Sequence, residues 1–429
     1  MSTSAEQAQT KNQGAMSAVL VTLQRPGVAL SVSESRSGEL TGLVRTMGLE
    51  VRDAVIARLA EPHPRFLVGS GKAEEIAARA KELGADCIVF DDDLAPSQQR
   101  NWEKMSGLAV IDRHEVILEI FAARAATREA ALQVGLARLE YSLPRLTRAW
   151  THLSRQRGGA RGTRGEGETQ LELDRRLVVR KIARLKRDIE LVRGQRSTRR
   201  RRREEGALPT GSIVGYTNAG KSSLLNVLSG STVLVEDKLF ATLDPTTRRV
   251  RLGDGDEVLL TDTVGFIRRL PHDLIVAFKA TLEETLLSDF LIHVLDASSP
   301  EVQEHFATTV SVLEELGVGM KPIITVFNKI DAAGDEIYTA ALQTRLPDSI
   351  EVSARTGAGL DRLKEAIGRL HAEGRPVVQI ALPGSRHDLV ALIHRTGKIL
   401  ATQYDDNLIM IAAQVPERTR SLLAPFLVG

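Results

Sequence analysis

Over residues 18–125 short apolar runs alternate with stretches of helical period. VLVTL, FLVG, CIVF and LAVI predict strands, while AEEIAARAKELG (73–84) and the segment around SQQRNWEKM predict helices between them. That alternation predicts a small parallel α/β layer. From 126 the period changes. TREAALQVGLARLEY sets Leu132, Leu136 and Leu139 on one stripe, and Leu171, Val178, Ile182, Leu185, Ile189 and Val192 step by 7, 4, 3, 4 and 3, a heptad seam. Two one-striped helices joined by a loop predict an antiparallel hairpin over 126–206, with RQRGGARGTRGEGE (155–168) at its tip. Residues 207–373 return to alternation. GSIVG, EVLLTDT, FLIHVLDAS, PIITVFNKID and SIEVSA predict the strands of a doubly wound α/β domain. The remainder, 374–429, sets VVQIAL, KILATQY and LIMIAAQV beside HDLVALIHR and ERTRSLLAPF, which predicts a compact α+β module. Residues 1–17 are polar at their start and predict a disordered tail, and the apolar run AMSAVLVTL (15–23) is too short to span a bilayer and reads as the first strand.

Composition adds an asymmetry that periodicity does not show. The chain of 429 residues has a formal net charge of +2, but Arg145 to Arg203 holds 20 Lys or Arg against 6 Asp or Glu, a local +14 that leaves −12 for the rest. The predicted hairpin is therefore basic, and the unbroken run of arginines from Arg199 to Arg203 outnumbers the two acidic residues that follow it, Glu204 and Glu205. A polyanion is the expected partner. Nucleic acid is favoured over a membrane surface because no apolar face accompanies the charge. The single cysteine, Cys87, excludes a disulfide framework and a cysteine-based metal site. A cytosolic chain without a membrane anchor is expected.

Two segments look like phosphate loops. Gly69-Ser70-Gly71-Lys72 lacks the G-x-x-x-x-G-K-[ST] spacing, and Ala73 stands where a magnesium-binding hydroxyl is needed, so a plain turn is expected. Gly215-Tyr216-Thr217-Asn218-Ala219-Gly220-Lys221-Ser222 has the full spacing, after a predicted strand and before the predicted helix SSLLNVLSG. Its backbone N–H groups are expected to cradle phosphate oxygens, Lys221 to reach the β- and γ-phosphates, and the Ser222 hydroxyl to ligate Mg2+. Asn328-Lys329-Ile330-Asp331 follows another apolar strand. A carboxylate such as Asp331 accepts from both N1–H and the exocyclic amine of guanine and finds neither donor on adenine, so GTP is expected rather than ATP. Lys329 is expected along the base plane, Asn328 as a tie to the phosphate loop, and Ser353-Ala354-Arg355 as the source of a backbone N–H near the guanine oxygen. Asp262-Thr263-Val264-Gly265 reads as the D-x-x-G turn that senses the γ-phosphate, and LFATLDPTTRRV (239–250) as a switch segment in which Thr242, Thr246 and Thr247 all qualify as a magnesium ligand.

These motifs carry a resemblance. VGSGKAEEI, QQRNWE, VIDRHEVILEIFAARAATREAALQVGLARLEY, GEGETQLELDRR, GYTNAGKS, FATLDPTTR, DTVGFIRRLPHDLIVAFKATLEE and NKID are similar to those of the HflX family, GTPases of the translation-factor-related class, over residues 18 to about 370. The family's G-P-G-E-T-Q is Gly165-Glu166-Gly167-Glu168-Thr169-Gln170 here, without the proline. The resemblance implies that Phe240-Ala241-Thr242-Leu243-Asp244 is the switch and that Thr242 is its magnesium ligand. It also implies a cytoplasmic GTPase that binds the large ribosomal subunit, points its hairpin at ribosomal RNA, and separates stalled or idle ribosomes into subunits; a monomer is expected. An RNA-binding maturation factor using GTP as an occupancy switch is the rival reading. Phe266 follows Gly265 where a water-orienting glutamine often sits, so unassisted turnover is expected on the order of 10⁻³–10⁻⁴ s⁻¹, with the apolar side chain swung away and another group recruited. Asn218 is either a potassium ligand or a brace of the loop.

Overall fold

The computed structural model describes residues 16–146, 166–201, 208–231, 239–240, 242–252, 256–269, 285–318, 321–333, 344–373, 377–405, 407–415 and 417–428. They form two compact units. The first runs to Leu191 and takes in Leu239 and Phe240, and the second holds the rest of the described residues. Most of the glycine–arginine tip and Ala241 lie outside the described residues.

The first unit begins with β1 (Ser17–Gln24), α1 (Leu30–Thr46), β2 (Glu50–Arg58), α2 (Ser70–Glu82), β3 (Cys87–Phe90), α3 (Pro96–Ser106) and β4 (Ala109–Asp112). The sheet is parallel in the order β2-β1-β3-β4. Two of its elements escape the hydrophobic pattern. α1 buries Ser33 and Ser37 beside Leu40, Leu43 and Val44, so its inward stripe is partly polar, and β2 mostly alternates exposed and half-buried positions as an edge strand does. The predicted strand FLVG is not one. Phe66 and Val68 are buried there as loop residues, and the local pairing is an isolated bridge between His63 and Leu67. Trp102 explains why the loop holds: it is wholly buried, packs edge-on to Phe66, and donates its Nε1–H to Phe66 O at 2.8 Å, which satisfies its polar atom.

Three helices follow, α4 (Arg113–Arg124), α5 (Arg128–Ser142) and α6 (Glu166–Arg201). In α6 the heptad seam is the covered side: Ile189 is buried and Val178, Ile182 and Leu185 are half-buried, whereas Leu173 and Leu177 off the seam are 57% and 60% exposed. Leu185 lies against Gly135 of α5, and Lys186 pairs with Glu140 at 2.8 Å. α5 departs from expectation. Its most buried face is Ala130, Gln133, Val134, Ala137 and Tyr141, and the leucine stripe is only half-buried. Tyr141 anchors this face by donating its hydroxyl to Asp112 at 2.9 Å, so this face rather than the leucines is covered most completely.

The second unit contains β5 (Thr210–Gly215), α7 (Lys221–Ser229), β6 (Thr246–Arg251), β7 (Glu257–Asp262), β8 (Phe290–Asp296), α8 (Val302–Glu315), β9 (Ile323–Asn328), β10 (Ile350–Glu351) and α9 (Leu360–Glu373). The order is β10-β9-β8-β5-β7-β6, parallel except for β6 against β7. From β5 the chain first builds one side and then returns to build the other, so the carboxyl end of β5 is the topological switch point where such sheets open a crevice. Ile213, Leu224, Leu225, Leu260, Ile292, Val326 and Leu363 pack the interior beneath it. The same unit ends in an antiparallel module of β11 (Val377–Pro383), α10 (His387–Thr396), β12 (Lys398–Asp405), β13 (Leu408–Gln414), α11 (Glu417–Leu423) and β14 (Leu427–Val428), in the order β12-β13-β11-β14 around Ile380, Leu382, Ile393 and Ile411. Among the described residues no helix is long and apolar enough to cross a membrane.

Candidate nucleotide site

The loop between β5 and α7 is shaped by what crowds it. At Gly215, φ is +148° and a Cβ would lie 2.2 Å from Val294 O; at Gly220, φ is +89° and a Cβ would lie 2.2 Å from Asn328 Nδ2. Neither position has room for a side chain, and neither φ suits one. Asn218 takes φ +61°, a conformation asparagine tolerates, and is exposed. Lys221 is buried at the start of α7, and its Nζ donates to Gly215 O (3.1 Å) and Tyr216 O (2.8 Å) across the loop. Burial pushes its pKa down to about 8 against the opposing pull of Asp262. A lysine held this way keeps donor capacity for a phosphate oxygen, and the first turn of α7 adds backbone N–H groups and a positive helix end.

Three oxygen-bearing side chains from three elements meet beside the lysine. Asp262 Oδ2, at the end of β7, accepts from Ser222 Oγ at 2.6 Å and from Thr242 Oγ1 at 2.7 Å, and the two hydroxyls are 2.9 Å apart. Hard oxygens converging so closely are the donor set a small divalent cation selects. Burial raises the Asp262 pKa, and Lys221 is the largest influence against the rise. Spacing left three threonines open, and the fold separates them. Thr246 and Thr247 are in β6, paired with Asp262 and Thr261 of β7, and Thr247 Oγ1 is engaged with Thr261 Oγ1 at 2.9 Å. Of the switch residues around Thr242, Phe240 and Leu243 are buried and Asp244 is half-buried.

Beyond Asp262 the chain is zipped onto the loop. Thr263 Oγ1 donates to Ile213 O at 2.7 Å, which ties the end of β7 to β5, and Val264 is buried. Phe266 N donates to Gly215 O at 3.0 Å, and Phe266 O accepts from Thr217 N at 2.6 Å. The Phe266 side chain, expected to swing away, is 1% exposed; its backbone pairs with the phosphate loop while its ring joins the interior.

At the other end Asn328 closes the site. Its Nδ2 donates to Ala219 O at 2.9 Å and its Oδ1 accepts from Ala354 N at 3.0 Å, so one amide joins the phosphate loop to the Ser353-Ala354 turn. Asp331 accepts from Ser353 Oγ at 2.6 Å and pairs with Arg355 at 2.8 Å; the serine hydrogen bond is the main cause of its lowered pKa. Ile330 packs against the cluster of Leu295, Val302 and Phe327. Lys329, with φ +64°, pairs with Asp296 at 2.7 Å. Sequence reading missed Asp296, although its place at the end of an apolar strand was a usable signal. It also missed His305, whose ring stacks on Tyr216 and which no motif marks.

Comparison with known proteins shows the family. Residues 34–122 match the family model described as GTP-binding GTPase N-terminal, 124–203 the GTP-binding GTPase middle region, and 210–329 the 50S ribosome-binding GTPase. A "GTPase HflX" of Akkermansia muciniphila is 46% identical over 402 residues, covering 91% of this chain and 92% of that protein. The Treponema denticola protein of the same name is 51% identical over 79% of this chain and 88% of its own length, and that of Escherichia coli K12 is 47% identical over 77% of each. Among solved structures, a GTP-binding protein from Sulfolobus solfataricus in complex with GDP is 26% identical, covering 83% of this chain and 99% of that one, with a TM-score of 0.44.

Proposed function

Because the chain belongs to the HflX family of GTPases, and so binds GTP and hydrolyses it, we propose that it does so on the large ribosomal subunit and thereby separates stalled or idle ribosomes into subunits, as a cytoplasmic monomer. The observation that carries this reading is α6, a 36-residue helix from the middle region whose sequence is dense in arginine and whose described arginines face outward, as in Arg176 and Arg184. A helix of that kind meets a polyanion through phosphate contacts, which supports ribosomal RNA as its target. The family description of residues 210–329 supports the ribosome as the particle that presents it.

At the nucleotide, Gly215 to Ser222 cradle the phosphates, Lys221 takes the β- and γ-oxygens, and the Gly265 turn reads the γ-phosphate. Asp331 selects guanine, Lys329 lies along the base, and Asn328 with Ala354 holds the base pocket to the phosphate loop. Ser222 and Thr242 would hold Mg2+, which when bound supplies positive charge to the phosphate oxygens. Asn218, exposed at the loop's turn, is the residue that would take K+. Sedimentation of intact ribosomes with the protein and a non-hydrolysable GTP analogue tests the reading. Conversion of intact particles to free subunits, dependent on the analogue, is the expected result. A salt-sensitive complex without subunit release would favour the maturation-factor reading instead.

A further inference from the structure

We propose that Tyr216 and His305 are positioning residues of the GTP reaction: they latch the turn after Asp262 onto the phosphate loop in a register that competes with the γ-phosphate, and so set the protein's preference between GTP and GDP. The proposal rests on the assignment of the phosphate loop and Lys221 given above.

The competition follows from where Gly265 sits. The paired hydrogen bonds between Phe266 and the loop draw Gly265 so close that a Cβ on it would lie 2.7 Å from Thr217 Cα and 2.9 Å from Lys221 Nζ. An oxygen hydrogen-bonded to an ammonium sits at about 2.7–2.9 Å. A phosphate oxygen taking Lys221 on that side and the Gly265 backbone therefore contend for one space.

What holds the register is Tyr216. Phosphate binding by the loop uses backbone N–H groups and Lys221, and asks nothing of a tyrosine ring. The ring is instead buried face to face with the His305 imidazole of α8, with centroids 3.8 Å apart and planes 16° from parallel. Its hydroxyl accepts the backbone N–H of Arg268 at 2.8 Å, two residues past Phe266. The stack fixes the ring, the ring fixes the hydroxyl, and the hydroxyl pins the turn just beyond its bridge to the loop. A nucleotide with a γ-phosphate must work against that latch and one without need not, so the latch acts on the ratio of the two affinities.

Equilibrium binding of fluorescent GDP and of a fluorescent non-hydrolysable GTP analogue to the full-length protein tests this. Tyr216→Phe keeps the ring and removes the acceptor; the affinity ratio should shift toward the GTP analogue roughly two- to tenfold, the scale of one hydrogen bond, with the GTP analogue's affinity changing more than that of GDP. His305→Ala should shift it the same way, and His305→Phe, which keeps a flat ring, should restore the wild-type ratio. A merely structural role would weaken both nucleotides together. An unchanged ratio in Tyr216→Phe overturns the latch, and an equal loss of both nucleotides in His305→Ala overturns the part given to the stack. Lys221→Ala is the separate check on the loop itself: GDP and GTP analogue bound by it as tightly as by wild type would remove the assignment on which the latch rests.

Discussion

Two helices in this molecule start from glycine and lysine, one in each unit, and their surroundings make them opposites. At the start of α2, a Cβ on Gly69 or Gly71 would meet nothing within 4 Å, and Lys72 pairs with Glu75 at 2.7 Å along its own helix. At the start of α7, the glycines are pressed by Val294 and Asn328 from β8 and β9, and Lys221 is buried against backbone carbonyls. The first glycines are optional and the second are not. The close-packed loop is thus made by neighbouring strands at a switch point, and the letters are only its local share.

The carboxyl ends of the two parallel sheets differ in the same sense. In the first unit buried Arg113 bonds Asp91 at 2.7 Å and pairs with Glu39, Arg145 pairs with Asp112 at 3.2 Å, and Arg25 with Asp92 at 2.8 Å. Charge there is answered by charge from within the fold. In the second unit the hydroxyls of Ser222 and Thr242 converge on one carboxylate oxygen, and the lysine leans on carbonyls. The first cluster is neutralised within the fold, whereas the second gathers hard oxygen donors around one point.

The sharpest way to break this contrast is at the lysines. Lys221→Ala should lower GTP turnover by roughly 10³-fold, the lower range for removing a positive clamp from a transferring phosphoryl group, while Lys72→Ala should stay within about twofold of wild type by phosphate release, the scale of an exposed ion pair. Next come the glycines. Gly215→Ala, with an unsuitable φ and a carbonyl in the way, should cost about 3 kcal/mol or more in urea unfolding, whereas Gly71→Ala should gain roughly 0.5–1 kcal/mol. Equal effects at the two positions would dissolve the distinction. Thr242→Ala should slow single-turnover hydrolysis on the order of 10²-fold, against less than about tenfold for Thr246→Ala or Phe266→Ala, which offer no group to the convergent donors.

The smallest expected effect is on pH. His293 in β8 is buried beside Phe306, its Nε2 has no hydrogen-bond partner, and burial holds its pKa at about 4. The unfolded chain binds that proton near the ordinary value of about 6.5, so the contribution is present above that pH and is lost as pH falls toward 4. Between pH 7 and 5 the second unit should lose about 2 kcal/mol. In the first unit burial and Asp112 push Glu115 up to about 7. There the sign reverses: the folded state keeps a proton the unfolded chain gives up, so stability is lost as pH rises through 7. Urea midpoints measured across pH 5 to 8 should therefore move oppositely for the two units, and parallel movement would refute one of the two burials.

Legible along the chain were the ordered set of nucleotide motifs, the carboxylate of Asp331 among them, the alternation behind the two sheets and the heptad seam of α6. Each is a matter of spacing along the chain, and backbone period or ligand chemistry ties spacing directly to outcome. Spacing left Thr242, Thr246 and Thr247 open and the family resemblance favoured Thr242; tertiary structure supplies the physical difference, because the pairing of β6 with β7 engages Thr246 and Thr247 and leaves Thr242 beside Asp262. It alone put His305 under Tyr216, buried FLVG as a loop against Trp102, and turned Phe266 inward by pairing its backbone with the phosphate loop. These depend on which distant strands and helices come within a few ångströms, and no local pattern encodes that approach.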